Sequence, residues 1–126
     1  MKIPRLGHPV RGSTTGRPIM VALDLLGRRT TLRLLWELRA GPATFRVLQD
    51  ACETNSRLLN MRLAELREAG LIEHESGGYR LTEEGHSLSD ALKPLLKWAD
   101  DWSVREKARL QGIQDLKSDS PKGGTP

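Results

Sequence analysis

Residues 54–85 contain a helical pattern that is followed directly by a hairpin pattern. The first half has leucines at the i, i+4, i+7 spacing of one helix face, namely Leu59, Leu63 and Leu66. Asn55 can cap the start of this helix with its side-chain oxygen, and Gly70 can end it in a left-handed conformation. We therefore predict a helix over about residues 55–69.

A hairpin pattern follows this helix. Residues 72–76 and 79–81 are short alternating segments, and Gly77-Gly78 between them is predicted to form a two-residue turn. Thr82 can cap a long helix whose apolar residues step by four, three, four and three positions: Leu88, Leu92, Leu95, Ala99 and Trp102. In so small a domain, this heptad-like seam more often pairs with a second copy than with its own core.

Three shorter helices are predicted upstream, over about residues 18–26, 31–40 and 45–51. Pro18 suits the first helical position of the first helix. Thr30 or Thr31 can cap the second helix, and Thr44 can cap the third. Two helices joined by a tight turn and followed by a two-stranded hairpin form a winged helix-turn-helix. The predicted fold class is mainly α with a small β-hairpin.

The ends of the chain lack any helical or strand period. Residues 1–17 contain prolines, glycines and a Ser-Thr-Thr run, and they are predicted to form a flexible, mildly basic arm. Residues 114–126 are predicted to be a disordered tail on the basis of their composition. The winged helix-turn-helix domain, with its dimerisation helices, is therefore expected over residues 18–113.

The composition argues against several classes of protein. The single cysteine, Cys52, allows no intramolecular disulfide, and its acidic neighbours Asp50 and Glu53 disfavour a redox sensor. The three histidines lack ligand spacing, so we expect no metal: His8, His74 and His86. No nucleophile–base set or phosphate loop is present, so we expect neither an enzyme nor a cofactor. Without an apolar leader or span, a cytoplasmic location is expected, with no membrane partner.

Charge is distributed unevenly along the chain. Residues 28–67 carry eight basic and four acidic side chains, whereas residues 68–103 carry three basic and eight acidic ones. A basic middle is typical of a surface that faces a polyanion. The alternative is ordinary solvated charge, and composition alone does not decide between the two.

Residues from about Pro18 to Trp98 resemble the HxlR branch of the MarR-like bacterial transcription regulators. The resemblance rests on four segments in family order: ALDLLGRRTTLRLLWEL, AGPATFRVL, SRLLNMRLAELREAGLI and YRLTEEG, the last leading into a leucine-rich helix with Trp98. Many family members carry a cysteine directly before the proline that corresponds to Pro18. This chain has Arg17 there, so the thiol sensing of some members is not expected.

The resemblance implies a homodimer that binds double-stranded DNA. The first and last helices, about residues 18–26 and 83–110, would form the dimer. The fourth helix would lie in the major groove, and the wing would touch the neighbouring backbone or minor groove. The wing of this chain is shorter than usual and acidic, so His74 and Arg80 are its only expected contacts.

The residues of the fourth helix favour the same function independently of the resemblance. A helical projection places Ser56, Arg57, Asn60 and Met61 away from the leucines. Arginine can donate twice to guanine, asparagine can pair with adenine, and a methionine can touch a thymine methyl group. The alternative is a solvated amphipathic helix whose polar face has no partner.

Further DNA contacts are expected beside the helix-turn-helix. The candidates for phosphate contacts are Arg28, Arg29, Thr44 and Arg46, although Thr44 is more simply a cap. Arg62 lies closer to the leucine side. It is expected either to reach a phosphate or to pair with an acidic neighbour inside the domain.

Two functions remain open from the sequence. The first is a homodimeric, sequence-specific regulator of transcription, favoured by Arg57 and Asn60. The second is a winged-helix module that binds another protein and no DNA, favoured by the acidic wing. A pocket near Trp36 and Trp98 is a candidate site for a small apolar effector, but both tryptophans are more simply core residues.

Overall fold

The computed structural model describes residues 3–119. Five helices and one antiparallel hairpin follow one another in the predicted order: α1 (Pro18–Leu26), α2 (Thr31–Leu38), α3 (Phe45–Cys52), α4 (Ser56–Glu68), β1 (Ile72–Glu75), β2 (Gly78–Leu81) and α5 (Glu83–Asp119). The predicted fold class is confirmed, because α3 and α4 form the helix-turn-helix and β1–β2 form the wing.

Leucines from the helices and the wing build one core. Its most deeply buried side chains are Leu34, Leu38, Leu48, Leu59, Leu63 and Leu66. Leu71, Ile72 and Leu81 extend the same cluster to the hairpin. The predicted apolar face of α4 therefore packs inward, and the opposite face of that helix is left exposed.

Side-chain caps place the first residues of three helices where the sequence predicted them. Asn55 Oδ1 accepts from the Leu58 N–H at 2.8 Å, and Thr44 Oγ1 accepts from the Val47 N–H at 3.2 Å. Thr82 Oγ1 accepts from the Gly85 N–H at 3.1 Å. These bonds satisfy amide groups that have no partner within the first turn of a helix.

The start of α2 differs from the prediction. Thr30 occupies the N-cap position but makes no side-chain cap, and Thr31 lies inside the helix. Thr30 has φ 78°, a left-handed conformation that is strained for a β-branched residue, instead of the extended conformation of a cap. The Thr31 hydroxyl is buried without a hydrogen-bond partner among the described residues.

The hairpin turn lies one residue earlier than predicted. Glu75 pairs with Gly78, so the turn residues are Ser76 and Gly77. Gly78 belongs to β2, and a Cβ there would lie 2.5 Å from the Ala43 carbonyl oxygen. Tyr79 and Ala43 exchange two backbone hydrogen bonds of 2.8 and 2.9 Å. Gly78 is thus needed for the close approach of the wing to the loop before α3.

The chain divides within α5 into two compact units, at Asp90 and Ala91. In the second unit, no residue between 91 and 118 is buried, and Trp98 stacks on Trp102 with ring centroids 5.6 Å apart. The helix continues beyond residue 113, where the sequence placed the domain end, and residues 120–126 of the predicted tail lie outside the described residues.

The segment before α1 forms hydrogen-bonded turns. Val10 and Ser13 form an isolated bridge, and the Gly7 N–H donates to the Gly16 carbonyl at 3.1 Å. Arg5 pairs with Glu68 at the end of α4 at 2.9 Å. The predicted flexibility of residues 1–17 stays a prediction. None of the helices within residues 3–119 is long and apolar enough to cross a membrane.

Candidate nucleic-acid interface

The outer face of α4 presents the residues predicted to contact bases. Ser56, Arg57 and Asn60 are exposed, and Met61 is 36% exposed. Helical spacing places Arg57, Met61 and Ala64 on one side, with Asn60 adjacent. This side contains hydrogen-bonding groups near the start of the helix and a small residue at its middle, as entry into a groove requires.

Arg57 is available for an external partner. Its guanidinium makes no ion pair or hydrogen bond with any residue in the described part of the chain. Asn60 follows it on the same exposed surface. A guanidinium and a carboxamide at this spacing provide the donors and acceptor that guanine and adenine edges match in the major groove.

Arg62 pairs with an acidic side chain inside the domain, which was one of the two roles predicted for it. Its Nη1 lies 2.9 Å from Glu65 Oε1, and its Nε donates to the Arg29 carbonyl oxygen at 2.7 Å. The Arg62 side chain is largely buried as a result. The phosphate contact expected of Arg62 is therefore disfavoured, because this guanidinium is already bonded on two sides.

Glu65 is the centre of this cluster, and it is only 2% exposed. Arg28 Nη1, from the loop between α1 and α2, pairs with the second carboxylate oxygen of Glu65. A buried carboxylate is tolerated only when its charge and lone pairs are met, and two guanidiniums meet them here. Arg28, also predicted to contact phosphate, is thus turned toward α4.

The remaining phosphate candidates lie at the surface. Arg46 is exposed on the first turn of α3, and Arg29 is exposed in the loop before α2. Thr44 is exposed too, but its hydroxyl oxygen serves as the cap of α3, the simpler of its two predicted roles. Arg29 and Arg46 are the cations of this group whose side chains remain directed to solvent.

The wing carries less available positive charge than its sequence indicates. Arg80 Nε lies 2.7 Å from Glu73 Oε1, and its Nη2 lies 2.7 Å from Glu75 Oε1. The hydrogen bond to Glu73 and the charge of Glu75 raise the pKa of Arg80 above its ordinary value. His74 stacks on Tyr79 at a centroid distance of 4.3 Å. Arg80 is therefore held within the hairpin by carboxylates.

Cys52 ends α3 and is half-buried. Burial raises the pKa of its thiol, Arg33 lowers it, and Glu37 raises it further, with a net increase. A thiol with a raised pKa contains little of the nucleophilic thiolate at neutral pH. This environment supports the expectation that Cys52 is not a redox sensor.

The two tryptophans predicted to be core residues are exposed. Trp36 is 39% exposed, with the Arg39 guanidinium 3.6 Å from its ring centroid, and Trp98 is 52% exposed. The interpretation of both as core residues of the single chain is wrong, because a large part of each side chain remains exposed. An effector site beside them stays a prediction.

Sequence reasoning missed the role of Glu65. The i, i+3 spacing of Arg62 and Glu65 was a signal for their pair. No local signal marked Arg28 as the second partner, since it lies 37 residues away in the chain. Groups of histidine, cysteine and acidic side chains able to hold a metal are absent from residues 3–119, and the expectation of no metal stays a prediction.

Comparison with known protein sequences gives consistent matches. The family model described as HxlR-like helix-turn-helix matches residues 25–107. An uncharacterised HTH-type transcriptional regulator from Mycobacterium tuberculosis is 34% identical over 112 residues, which cover 83% of this chain and 68% of that protein. Another such regulator, from Methanocaldococcus jannaschii, is 28% identical over 83 residues, which cover 62% of this chain and 78% of that protein.

Solved structures show the same similarity. A MarR-family putative regulator from Enterococcus faecalis matches with a TM-score of 0.63 and 32% identity, covering 72% of this chain and 89% of that chain. Quinone-bound YodB from B. subtilis matches with a TM-score of 0.61 and 30% identity, and the match covers 66% of this chain and 96% of that chain. The transcriptional repressor BigR from Xylella fastidiosa matches with a TM-score of 0.53 and 28% identity, and the match covers 58% of this chain and 77% of that chain.

Proposed function

Because the chain belongs to the HxlR-like helix-turn-helix family of transcriptional regulators, we propose that it binds specific double-stranded DNA as a homodimer. In this proposal α4 enters the major groove, and Arg57 and Asn60 read base edges. Arg29 and Arg46 contact phosphates beside the groove and make the affinity depend on salt. The protein acts in the compartment that holds the genomic DNA.

The observation that carries this proposal is Arg57 on the exposed face of α4, which has no partner among residues 3–119. Other arginines near this helix, Arg28 and Arg62, bond to a carboxylate within the domain. An arginine left without an internal partner at the start of a recognition helix can form two hydrogen bonds with one guanine. Such a bidentate pair discriminates against other bases because they lack the two acceptors.

Exposed apolar side chains support the homodimer. On α1, Ile19 and Leu23 are more than half exposed. On α5, the large exposed hydrophobic residues are Leu95, Leu96, Trp98, Trp102, Val104, Leu110, Ile113 and Leu116. Burying such side chains stabilises by roughly 1.5–3 kcal/mol each when they leave water completely. A second copy would supply that burial and place two α4 helices about one DNA turn apart, roughly 34 Å.

Selection of bound duplexes from a random pool tests the proposal. A homodimer should enrich a pseudo-palindrome, and its affinity should fall as salt concentration rises. Substitution of Arg57→Ala should weaken operator binding by about 1–3 kcal/mol and relax the preference at one base pair of each half-site. An unchanged base preference in this variant would remove Arg57 from its proposed role.

A matched control separates the base contact from a general loss of charge. Arg105 is exposed on α5, so Arg105→Ala removes the same charge from a different helix. The control is expected to retain the wild-type base preference. If the wild-type protein enriches no sequence, sequence-specific DNA binding is refuted, and the acidic wing would then favour a protein partner.

A further inference from the structure

The recognition helix rests on two kinds of contact with different directional properties. Leu59, Leu63 and Leu66 pack into the core, and hydrophobic burial does not depend on direction. Glu65 and Arg62 lie on the flank between this apolar side and the exposed base-facing side. Their hydrogen bonds require defined distances and angles, so they restrict how the helix is rotated about its axis.

The polar contacts on this flank tie α4 to one loop. Glu65 accepts from Arg28 through one oxygen and from Arg62 through the other. Arg62 also donates to the backbone carbonyl of Arg29 at 2.7 Å. Thr30, the next residue, has the strained φ of 78°. The loop between α1 and α2 thus provides both a charged partner and a backbone acceptor to α4.

We propose that Glu65, Arg28 and Arg62 are positioning residues that set the rotation of α4, and thereby determine the base preference of Arg57 and Asn60. This inference rests on the proposed DNA-binding function. A helix has a radius of roughly 5–6 Å with its side chains, so a rotation of about 10° moves their ends by about 1 Å. A displacement of that size disrupts bidentate hydrogen bonds, which tolerate only a few tenths of an ångström.

The competing explanation assigns Arg28 and Arg62 to phosphate contacts, and the two explanations predict different salt dependence. The slope of log affinity against log salt concentration is negative, and loss of one phosphate contact makes it less steep by about 0.9 without altering base preference. Loss of positioning lowers base preference and leaves the slope of non-specific binding unchanged. The measured quantities are therefore the ratio of operator affinity to scrambled-duplex affinity, and that slope.

The first variant is Glu65→Gln in the full-length chain. Glutamine retains the shape of the side chain but removes the charge shared by the two arginines. We expect the affinity ratio to fall about tenfold, with an unchanged non-specific salt slope. A ratio within twofold of wild type in the folded variant would overturn the proposal. Arg62→Ala is measured in parallel. A salt slope that is less steep by about 0.9, together with a wild-type ratio of operator to scrambled-duplex affinity, would also overturn the proposal.

A second variant addresses loss of folding, because breaking a buried ion pair is strongly destabilising. The triple substitution Arg28→Met, Arg62→Met and Glu65→Leu replaces the whole cluster with apolar side chains, which often preserves stability. We expect this folded variant to lose operator preference about tenfold as well. Wild-type preference would show that apolar packing alone positions α4, and would overturn the proposal.

A DNA-free measurement keeps this inference separate from the proposed function. Backbone dipolar couplings measured by NMR report the orientation of α4 relative to α2 in the wild type and in the triple variant. We expect the α4 couplings of the variant not to fit the wild-type orientation. If the wild type enriches no operator, the proposed function fails, whereas an unchanged α4 orientation in the variant refutes the positioning role itself.

Discussion

Neutralising the two carboxylates of the wing is expected to tighten DNA binding. In the double variant Glu73→Gln, Glu75→Gln, Arg80 loses the two negative charges that now lie 2.7 Å from its guanidinium, and a neutral amide oxygen holds it more weakly. The formal net charge of Glu73, Glu75 and Arg80 changes from −1 (one arginine, two glutamates) to +1. A wing that lies beside the DNA backbone would then attract phosphates instead of repelling them.

The size of the effect follows from simple electrostatics. Two unit charges about 7 Å apart in water interact by about 0.6 kcal/mol, and physiological salt reduces this to about 0.25 kcal/mol. Removing two carboxylates that each face about two phosphates therefore contributes about 1 kcal/mol, or roughly fivefold in affinity. If the released Arg80 also binds a phosphate, the salt slope steepens by about 0.9.

The assay is a titration of the selected operator duplex at several salt concentrations, followed by fluorescence anisotropy. Asp101→Asn is the matched control, since Asp101 pairs with Lys97 on α5, off the heptad-like seam, as Glu73 pairs with Arg80 on the wing. The control should leave affinity unchanged. If the double variant, with its hairpin intact, shows wild-type affinity and salt slope, the wing carboxylates do not oppose DNA binding and the reasoning is refuted.

Four further predictions concern the core, the start of α2 and Cys52. Leu66→Ala, at a fully buried position, should lower the free energy of unfolding in urea by about 2–5 kcal/mol, and a loss below 1 kcal/mol would contradict its place in the core. Thr30→Asn should stabilise by about 0.5–1 kcal/mol in the same assay, because asparagine tolerates the left-handed conformation better; destabilisation would show that the threonine has a compensating role. At pH 7, Cys52 should react with iodoacetamide more slowly than a cysteine in an unstructured peptide does, because burial raises the pKa of its thiol. The rate for Cys52 should increase as the pH rises. A rate at pH 7 above that of the peptide would contradict the raised pKa. Cys52→Ser should leave DNA affinity unchanged under both reducing and oxidising conditions.

Local signals were sufficient for most of the fold. Asn55, Thr44 and Thr82 form the predicted caps, because a cap depends only on residues two or three positions away. Gly70, with φ 79°, ends α4 as predicted. The hairpin register was misjudged by one residue because the constraint on Gly78 comes from the Ala43 backbone, which is distant in sequence.

The candidate site was predictable in part. The projection of α4 correctly left Arg57 and Asn60 exposed, since their position follows from the period of a helix packed through its leucines. The alternatives for Arg62 stayed open, because its pairing with Glu65 requires burial of the flank as well as spacing. Arg80 was assigned to DNA, but the strand pairing places it opposite Glu73.

The sequence by itself determined which segments are helices and strands, where the capped helices begin, and which side of α4 faces outward. Those properties depend on neighbours within about one helical turn or one strand pair. Only the tertiary structure decided which charges of the basic middle remain available, because Arg28 meets Glu65 across 37 residues and Arg62 meets the Arg29 carbonyl across 33. Pairing at such separations depends on how the helices pack, and packing brings together groups that no local pattern relates.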